Sequence, residues 1–278
     1  MHCYDLHSHS IASDGTLTPT QLLQRAKDQG VTVLALTDHD STQGISEARQ
    51  AALANGVQLI PGVEISTTWG RHTIHIVGLN IDIENDALQQ GLQHLQNVRI
   101  ARAEKIAHKL EKAGIKNALE GAQALAGQGN VTRTHFARHI VNLGLAKNLN
   151  DVFKRYLSNN KPGYVSTQWA PLEDAIRWIN NAQGQAVVAH PDRYNMTATK
   201  FRAFLSDFKD LGGQGIEVVY SGINRDTLAN NARFARDFGL AASVGSDFHS
   251  PSSPWVELGK LQPLPKELTP IWDNWSNT

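Results

Sequence analysis

The sequence lacks several features that would place it in a particular class of protein. Cys3 is the only cysteine among 278 residues, so no disulfide can form within the chain. No apolar run approaches the ~18 residues that a membrane span requires, and no basic, apolar signal segment precedes the first predicted strand. Lysine plus arginine and aspartate plus glutamate both total 26, so no net charge attracts long nucleic acid or an anionic membrane. We therefore expect a cytoplasmic protein, with a nucleotide or a short oligomer still open as its partner.

Short apolar runs alternate with helical segments along most of the chain. The run 31–36 is apolar nearly throughout, as expected for a strand buried on both faces of a parallel sheet. A helix is predicted after Thr18, because Thr18-Pro19-Thr20-Gln21 supplies an N-cap, a proline at the first helical position and a capping-box glutamine. Seven core strands are predicted, at residues 3–7, 31–36, 58–64, 72–79, 186–190, 215–220 and 240–247. This alternation indicates a parallel α/β fold.

The segment 86–160 departs from this pattern. It has long helical periodicity, several glycine-rich breaks and no convincing strand. We therefore expect residues 1–85 and 161–278 to form one barrel domain, and residues 86–160 to form a helical insertion that covers the active site.

Histidines and carboxylates collect where the predicted strands end. Six of the seven strands carry such residues at or near their ends: His7 and His9, His39, Glu64, His75, His190, and Asp247 with His249. Parallel barrels place their active sites at this end, because every strand there opens into a loop whose side chains can converge. One histidine after a strand is more often an ordinary polar loop residue, but so many in the same position indicate a metal site. Mixed imidazole and carboxylate ligands suit Zn, Mn or Fe, and a bridging carboxylate suits more than one ion.

Two aspartates near the first histidines have alternative interpretations. Asp14 is a candidate ligand, but Ser13-Asp14-Gly15 is also a common turn sequence. Asp5 either orients a ligand or is structural.

The motifs occur in the order typical of one family. They are His7-Ser8-His9-Ser10 with Ser13-Asp14-Gly15, Thr37-Asp38-His39-Asp40, Pro61-Gly62-Val63-Glu64, Ala189-His190-Pro191, and Gly245-Ser246-Asp247-Phe248-His249. Together they closely resemble the polymerase-and-histidinol-phosphatase (PHP) family over nearly the whole chain. The resemblance implies a distorted (β/α)7 barrel with an inserted helical subdomain and three divalent metal ions. It implies Mn²⁺ as the metal, with Fe²⁺ and Zn²⁺ as competitors.

The resemblance also implies which residues hold each ion. His7, His9, Glu64 and Asp247 would hold the first. Glu64 would bridge to a second ion, held also by His75 and His190. The third would be held by Asp14, His39 and His249.

The helical insertion, with Asn130-Val131-Thr132-Arg133-Thr134-His135, resembles a bacterial branch of that family. This branch hydrolyses nucleoside 3′,5′-bisphosphates and includes a ribonuclease that trims short RNA from its 5′ end. The resemblance implies removal of the 3′-phosphate to leave the nucleoside 5′-monophosphate, with a short 5′-phosphorylated oligonucleotide as the other substrate.

No protein nucleophile is expected, because a hydroxide held between two metals can attack phosphorus in line. A second phosphate needs its own cations, and the planar fork of arginine suits phosphate oxygens. Arg133 is the first candidate and Arg193 the second, with Lys161 third and His135 beside Arg133. Arg133 is equally well explained as a surface arginine, and Lys161 lies in a run that also suits a simple return to the barrel.

Three other functions compete with this one. The first is a phosphatase of the same family acting on histidinol phosphate or a similar small monoester, which would need no second anion site. The second is a non-catalytic metal-binding accessory module, which the intact ligand set disfavours. The third is hydrolysis of amide bonds, because barrel metal sites also activate water against carbonyl groups.

Overall fold

The computed structural model describes residues 2–273 and residue 275. Its strands and helices, in chain order, are β1 (Tyr4–Asp5), α1 (Pro19–Asp28), β2 (Val33–Leu36), α2 (Ile45–Asn55), β3 (Gln58–Trp69), β4 (His72–Leu79), α3 (Asp86–Lys112), α4 (Ala118–Ala126), α5 (Arg133–Asn142), α6 (Leu149–Val152), β5 (Ala170–Pro171), α7 (Leu172–Asn181), β6 (Gln185–Val188), α8 (Ala198–Asp210), β7 (Gly215–Tyr220), α9 (Arg225–Phe238) and β8 (Ala241–Gly245). A π-helical turn (Phe153–Leu157) follows α6, and a 3-10 turn (Pro191–Arg193) follows β6.

Seven strands form a nearly closed barrel, which confirms the predicted fold class. The strand order is β1-β2-β3-β4-β6-β7-β8, and the short β5 pairs with β3 outside this path. The two ends of the sheet meet where Leu6 N donates to Val244 O at 2.9 Å and Asp247 N donates to His7 O at 2.9 Å. Because β1 and β8 meet in this way, the loops that follow them lie side by side.

The strand β4 is antiparallel to both of its neighbours, β3 and β6, so the expectation of an entirely parallel sheet was wrong here. The cause is a tight turn after Trp69, where Gly70 has a φ of +58° and the chain reverses directly into His72. The strand β3 also continues well beyond Glu64, to Trp69. Two of the predicted ligands are therefore carried within a long hairpin.

The first helix begins as the sequence predicts. Thr18 Oγ1 accepts from Gln21 N at 3.1 Å, and Gln21 Oε1 accepts from Thr18 N at 3.0 Å, so both halves of the capping box are present.

The barrel interior is filled by side chains from several strands, among them Leu6, Val77 and Val187. Tyr4 and Trp272 stack at this core with ring centroids 4.1 Å apart, and Trp275 packs against the same cluster. The two tryptophans of the tail, Trp272 and Trp275, are therefore packing residues.

The segment between β4 and β5 is helical in the structure. The first half of α3 places Leu88 and Leu95 in the core around the barrel, whereas its second half places Leu110 in a separate cluster with Phe136 and Leu157. The long helix α3 thus connects the barrel core to a second hydrophobic core. The division of the chain at residues 86 and 160 stays a prediction. None of the helices formed by the described residues has an apolar stretch long enough to cross a bilayer.

Candidate metal centre

All nine predicted metal ligands lie at one end of the barrel. Most of them follow the carboxyl ends of parallel strands, which share one edge of the sheet. Glu64 lies inside β3 and His75 in the first half of β4, so these two are not at strand ends. Because β4 runs in the opposite direction, its first half lies at the same edge as the carboxyl ends of its neighbours, which brings His75 to the site.

Eight of the nine side chains form overlapping groups whose ligand atoms lie within 4.8 Å of one another. His190 belongs to none of these groups, although its Nε2 lies 3.1 Å from Glu64 Oε1. One group contains the four residues expected at the first ion, and the other two differ in membership from the expected sets. The groups are His7, His9, Glu64 and Asp247; His39, Glu64 and His75; and His9, Asp14, His39 and His249. His39 and His9 are thus shared between groups, and the assignment of ligands to individual ions stays a prediction.

Glu64 lies at the centre of the cluster and is fully buried. Its Oε1 is 2.8 Å from His75 Nδ1 and 3.1 Å from His190 Nε2. Its Oε2 is 2.9 Å from His39 Nδ1 and 3.3 Å from His7 Nε2. Burial alone would raise the pKa of Glu64, but the surrounding histidines, His39 first, hold it well below its ordinary range. The carboxylate is therefore ionised and presents its two oxygens to different sets of imidazoles, as a bridging ligand must.

The hydrogen bonding of the cluster fits divalent cations. Asp14 Oδ1, Glu64 Oε2 and His39 Nδ1 are buried, and none has a hydrogen-bond partner of acceptable geometry within the described residues. Buried polar atoms of this kind are rare because leaving them unpaired costs about 1–3 kcal/mol each. The residues that carry these atoms belong to groups of imidazoles and carboxylates whose ligand atoms lie within 4.8 Å of one another, a donor set that suits metal ions of the Mn, Fe or Zn type.

Asp5 and Asp38 hold the loops that carry the ligands. Asp38 accepts from Ser10 N at 2.8 Å and from the hydroxyls of Ser10 and Ser13 at 2.6 Å each, and so fixes the loop after β1. Asp5 accepts from Ser246 N at 2.7 Å, which fixes the chain just before Asp247. This contact fits either of the two roles expected of Asp5, and the choice between them stays a prediction.

Glu217 is a buried residue of this site that the sequence interpretation missed. Its Oε1 lies 2.6 Å from His7 Nδ1, and its Oε2 accepts from His190 N at 2.6 Å. His190 has a φ of +27°, so its backbone adopts an unfavourable conformation that this contact helps to hold. The signal was a single acidic residue in the otherwise apolar strand Gly215-Ile216-Glu217-Val218-Val219-Tyr220, where burial of a charge demands a partner.

A cavity of about 430 Å³ opens beside the cluster. One wall consists of the ligands, and part of the rest is cationic. The arginines that line it are Arg71, Arg99, Arg102, Arg133 and Arg193. A cavity of this size and charge can hold a small anion larger than a single phosphate.

Arg99 and Arg102 were also missed by the sequence interpretation. They lie three positions apart on α3 and therefore project from the same face of that helix, which was the available signal. Arg99 Nε donates to Asp40 Oδ2 at 2.7 Å, so its charge is paired. Arg102 Nε is buried without a hydrogen-bond partner in the described chain. Burial, followed by the nearby charge of Arg133, lowers the pKa of Arg102 to about 9.

The four expected substrate-binding residues have different positions. Arg133 and Arg193 line the cavity, and Arg193 forms an ion pair with Asp247. Lys161 is exposed in a turn and is absent from the cavity wall, so the structure does not bring it to the site. His135 is buried, and its Nδ1 accepts from Thr132 N at 3.0 Å, so it completes a capping box at the start of α5. His135 is not among the described residues that line the cavity.

Comparison with known proteins places these features in context. A family model for the PHP domain matches residues 5–221. The chain is 50% identical over 270 residues to a Haemophilus influenzae protein described as a 5′-3′ exoribonuclease, covering 97% of this chain and 98% of that one. It is 47% identical over 269 residues to a Chromobacterium violaceum 3′,5′-nucleoside bisphosphate phosphatase, covering 96% and 94%. A solved Chromobacterium violaceum structure, described as an amidohydrolase with bound sulfate and no metal, superimposes with a TM-score of 0.93 at 46% identity, over 97% of this chain and 94% of that one.

Proposed function

Because this chain belongs to the PHP domain family of metal-dependent phosphoesterases, we propose that it hydrolyses nucleoside 3′,5′-bisphosphates. It would remove the 3′-phosphate and leave the nucleoside 5′-monophosphate and phosphate. We propose further that it shortens 5′-phosphorylated RNA oligomers from the 5′ end, the direction named for its Haemophilus influenzae relative.

The observation that carries this proposal is a pair of arginines without acidic partners. Arg99 and Arg193 are paired with Asp40 and Asp247, whereas Arg102 and Arg133 form no salt bridge with any described residue. Their guanidinium groups lie over aromatic rings instead, Arg102 at 5.2 Å from the Trp169 centroid and Arg133 at 5.7 Å from that of Phe153. Two neighbouring cations lacking a counter-charge favour a doubly charged ligand group between them.

The cluster and the arginines would act on different parts of the substrate. The nine clustered side chains would hold divalent ions, with Mn²⁺ the first choice and Fe²⁺ or Zn²⁺ the alternatives. Such ions, when bound, activate water and neutralise charge that develops on a phosphate in the transition state. Arg102 and Arg133 would grip the phosphate that does not react, which fixes the distance between it and the reacting phosphate. Phe153 and Tyr164, which also line the cavity, offer an aromatic wall for the nucleoside.

This division of roles separates the proposal from a histidinol phosphate phosphatase. A small phosphomonoester has one anionic group, which the metal cluster satisfies, and would leave the second pair of arginines without a ligand. The present cavity fits a substrate with two phosphates better.

The test uses metal-stripped protein with Mn²⁺ added back. Phosphate release is compared for adenosine 3′,5′-bisphosphate, adenosine 5′-monophosphate and histidinol phosphate, with a His39→Ala variant as the inactive control. We expect rapid, Mn²⁺-dependent release of the 3′-phosphate from the first substrate alone. Preference for histidinol phosphate would overturn the substrate assignment, and inactivity on all three with metal bound would favour an accessory module.

The direction of RNA trimming needs its own substrate. A short RNA labelled at its 3′ end is offered with either a 5′-phosphate or a 5′-hydroxyl. A ladder of successively shorter labelled products from the 5′-phosphorylated form, with slower loss of the 5′-hydroxyl form, is the expected result. Release of the label as a mononucleotide in the first turnover would contradict it.

A further inference from the structure

Asp14 lies in an irregular turn of the loop that follows β1. Its Oδ1 faces the cluster, 3.2 Å from His249 Nε2 and 3.7 Å from His39 Nε2. Asp14 lies outside the strands, so no ladder hydrogen bonds fix it. The orientation of its carboxylate must come from other contacts.

Those contacts come from the beginning of α5, well over a hundred positions later in the chain. Asp14 Oδ2 accepts from Thr134 Oγ1 at 2.9 Å and from Thr132 Oγ1 at 3.1 Å. One turn further along the helix, Arg138 Nη2 donates to the Asp14 backbone oxygen at 2.7 Å. Both the side chain and the backbone of Asp14 are therefore held by one helix.

The supporting helix is itself fixed at this position. Thr132 is its N-cap and accepts from Thr134 N at 3.1 Å, while its own hydroxyl hydrogen is directed to Asp14. The preceding turn packs so closely on the loop that a side-chain carbon at Gly129 would collide with the carbonyl oxygen of Ile11. Little freedom is left for α5 to move relative to Asp14.

We propose that the first two turns of α5 are a positioning element for the group formed by Asp14, His39 and His249, and thereby set its affinity for a divalent ion. The inference rests on the metal binding that the proposed function requires. Holding Oδ2 by two hydroxyls leaves Oδ1 free and aimed at the imidazoles. Supporting hydrogen bonds of this type change metal affinity by about tenfold to a hundredfold when they are removed. The helical segment would then contribute to the metal centre without supplying a ligand.

The experiment measures binding of Mn²⁺ alone, by calorimetric titration and by elemental analysis after gel filtration. The variants are Thr134→Val and Thr134→Val combined with Arg138→Met, with Thr134→Ser as the conservative form that keeps the hydroxyl. We expect three equivalents in the natural sequence. In the Thr134→Val protein one equivalent should weaken by about tenfold while two keep their affinity, and Thr134→Ser should restore it.

The matched control is Thr20→Val, which removes a hydroxyl that donates to Glu47 Oε1 at 2.7 Å on the surface, where neither residue belongs to the ligand groups or lines the cavity. It should bind Mn²⁺ like the natural sequence. Equal weakening of all three equivalents in Thr134→Val would indicate a general structural defect and overturn the proposal. Unchanged affinity, or fewer than three equivalents in the natural sequence, would overturn it as well. No substrate is used, so an error in the proposed reaction would not alter the outcome.

Discussion

Glu217 Oε1 lies 2.6 Å from His7 Nδ1, and both side chains are buried. An ionised carboxylate can only accept a hydrogen bond, so this contact places a proton on Nδ1 and leaves Nε2 to face Glu64 and Asp247. The other oxygen of Glu217 accepts from the backbone of His190. The carboxylate of Glu217, which is not itself a predicted metal ligand, therefore orients two histidines of the cluster, His7 and His190.

Replacing Glu217 by glutamine should weaken metal binding. The amide can still accept from one of the two donors, but it then presents its own N–H groups to the other donor. We expect the affinity for Mn²⁺ to fall by about tenfold or more, measured by competition with a chelating dye. Glu47→Gln, which alters an exposed carboxylate on α2, is the control. Equal affinity in the two variants would show that Glu217 does not position His7.

The arginine pair should distinguish substrates by their number of phosphates. Arg102→Met or Arg133→Met removes a charge-assisted hydrogen bond worth roughly 1.5–3 kcal/mol. We therefore expect kcat/KM for adenosine 3′,5′-bisphosphate to fall by about tenfold to a hundredfold, and kcat/KM for adenosine 3′-monophosphate to stay within about twofold. Arg233→Met, on α9, should change neither value. Equal losses on both substrates would place the arginines at the reacting phosphate.

His135 should make the stability of the protein depend on pH. Burial lowers its pKa from 6.5 to about 4, so the unfolded chain binds the proton more strongly between these values. The free energy of unfolding is not lowered by this effect above pH 6.5. It decreases as the pH falls from 6.5 towards 4, because the unfolded chain takes up a proton that buried His135 does not. His135→Gln keeps a capping-box acceptor but does not titrate. Urea unfolding at pH 7 and pH 4.5 should show about 2 kcal/mol less loss of stability in the variant. Parallel curves for the two proteins would contradict this assignment.

The crossing of α3 and α7 should not tolerate a methyl group at Gly91. A side-chain carbon there would overlap the ring of Trp178. Alanine is better than glycine in a helix by about 1 kcal/mol, but overpacking costs about 1–3 kcal/mol, so the collision should prevail. We expect Gly91→Ala to lower the free energy of unfolding by about 1 kcal/mol in denaturant titrations. In a Trp178→Leu background the same change should be neutral or stabilising, and a further loss there would exclude the collision as the cause.

The barrel and the convergence of the candidate ligands at one end of it could be predicted from the sequence because they depend on local signals. Apolar runs that end in histidine or carboxylate mark the strand ends, and parallel strands bring those ends to one edge. His75 reached the same edge for a different reason, the reversal at Gly70, which periodicity cannot distinguish from a longer connection. A strand pattern has the same period in either direction.

The residues that line the cavity could be predicted less well than the candidate metal ligands. Arg133 and Arg193 were identified by their position next to motifs, but Arg99 and Arg102 reach the cavity only because α3 passes over the barrel. His135 had a polar side chain beside Arg133, yet the start of α5 required it as a capping group. Lys161 is close to the barrel along the chain and still points to solvent. These differences depend on how the helices pack, which sequence spacing alone does not determine.

The hydroxyls of Thr132 and Thr134 join the helical segment to the Asp14 loop of the barrel, so the sequences of the two parts constrain each other. A substitution in the loop at residues 10–15 changes the position of the Asp14 carboxylate, which accepts from those hydroxyls. A change of length between β4 and α5 moves the hydroxyls away from Asp14. Neither part can therefore be exchanged for its counterpart from a distant relative without the other. We expect chimeras that join this barrel to a foreign helical segment to fold and yet to bind one ion fewer, unless the Asp14 loop is transferred together with the segment.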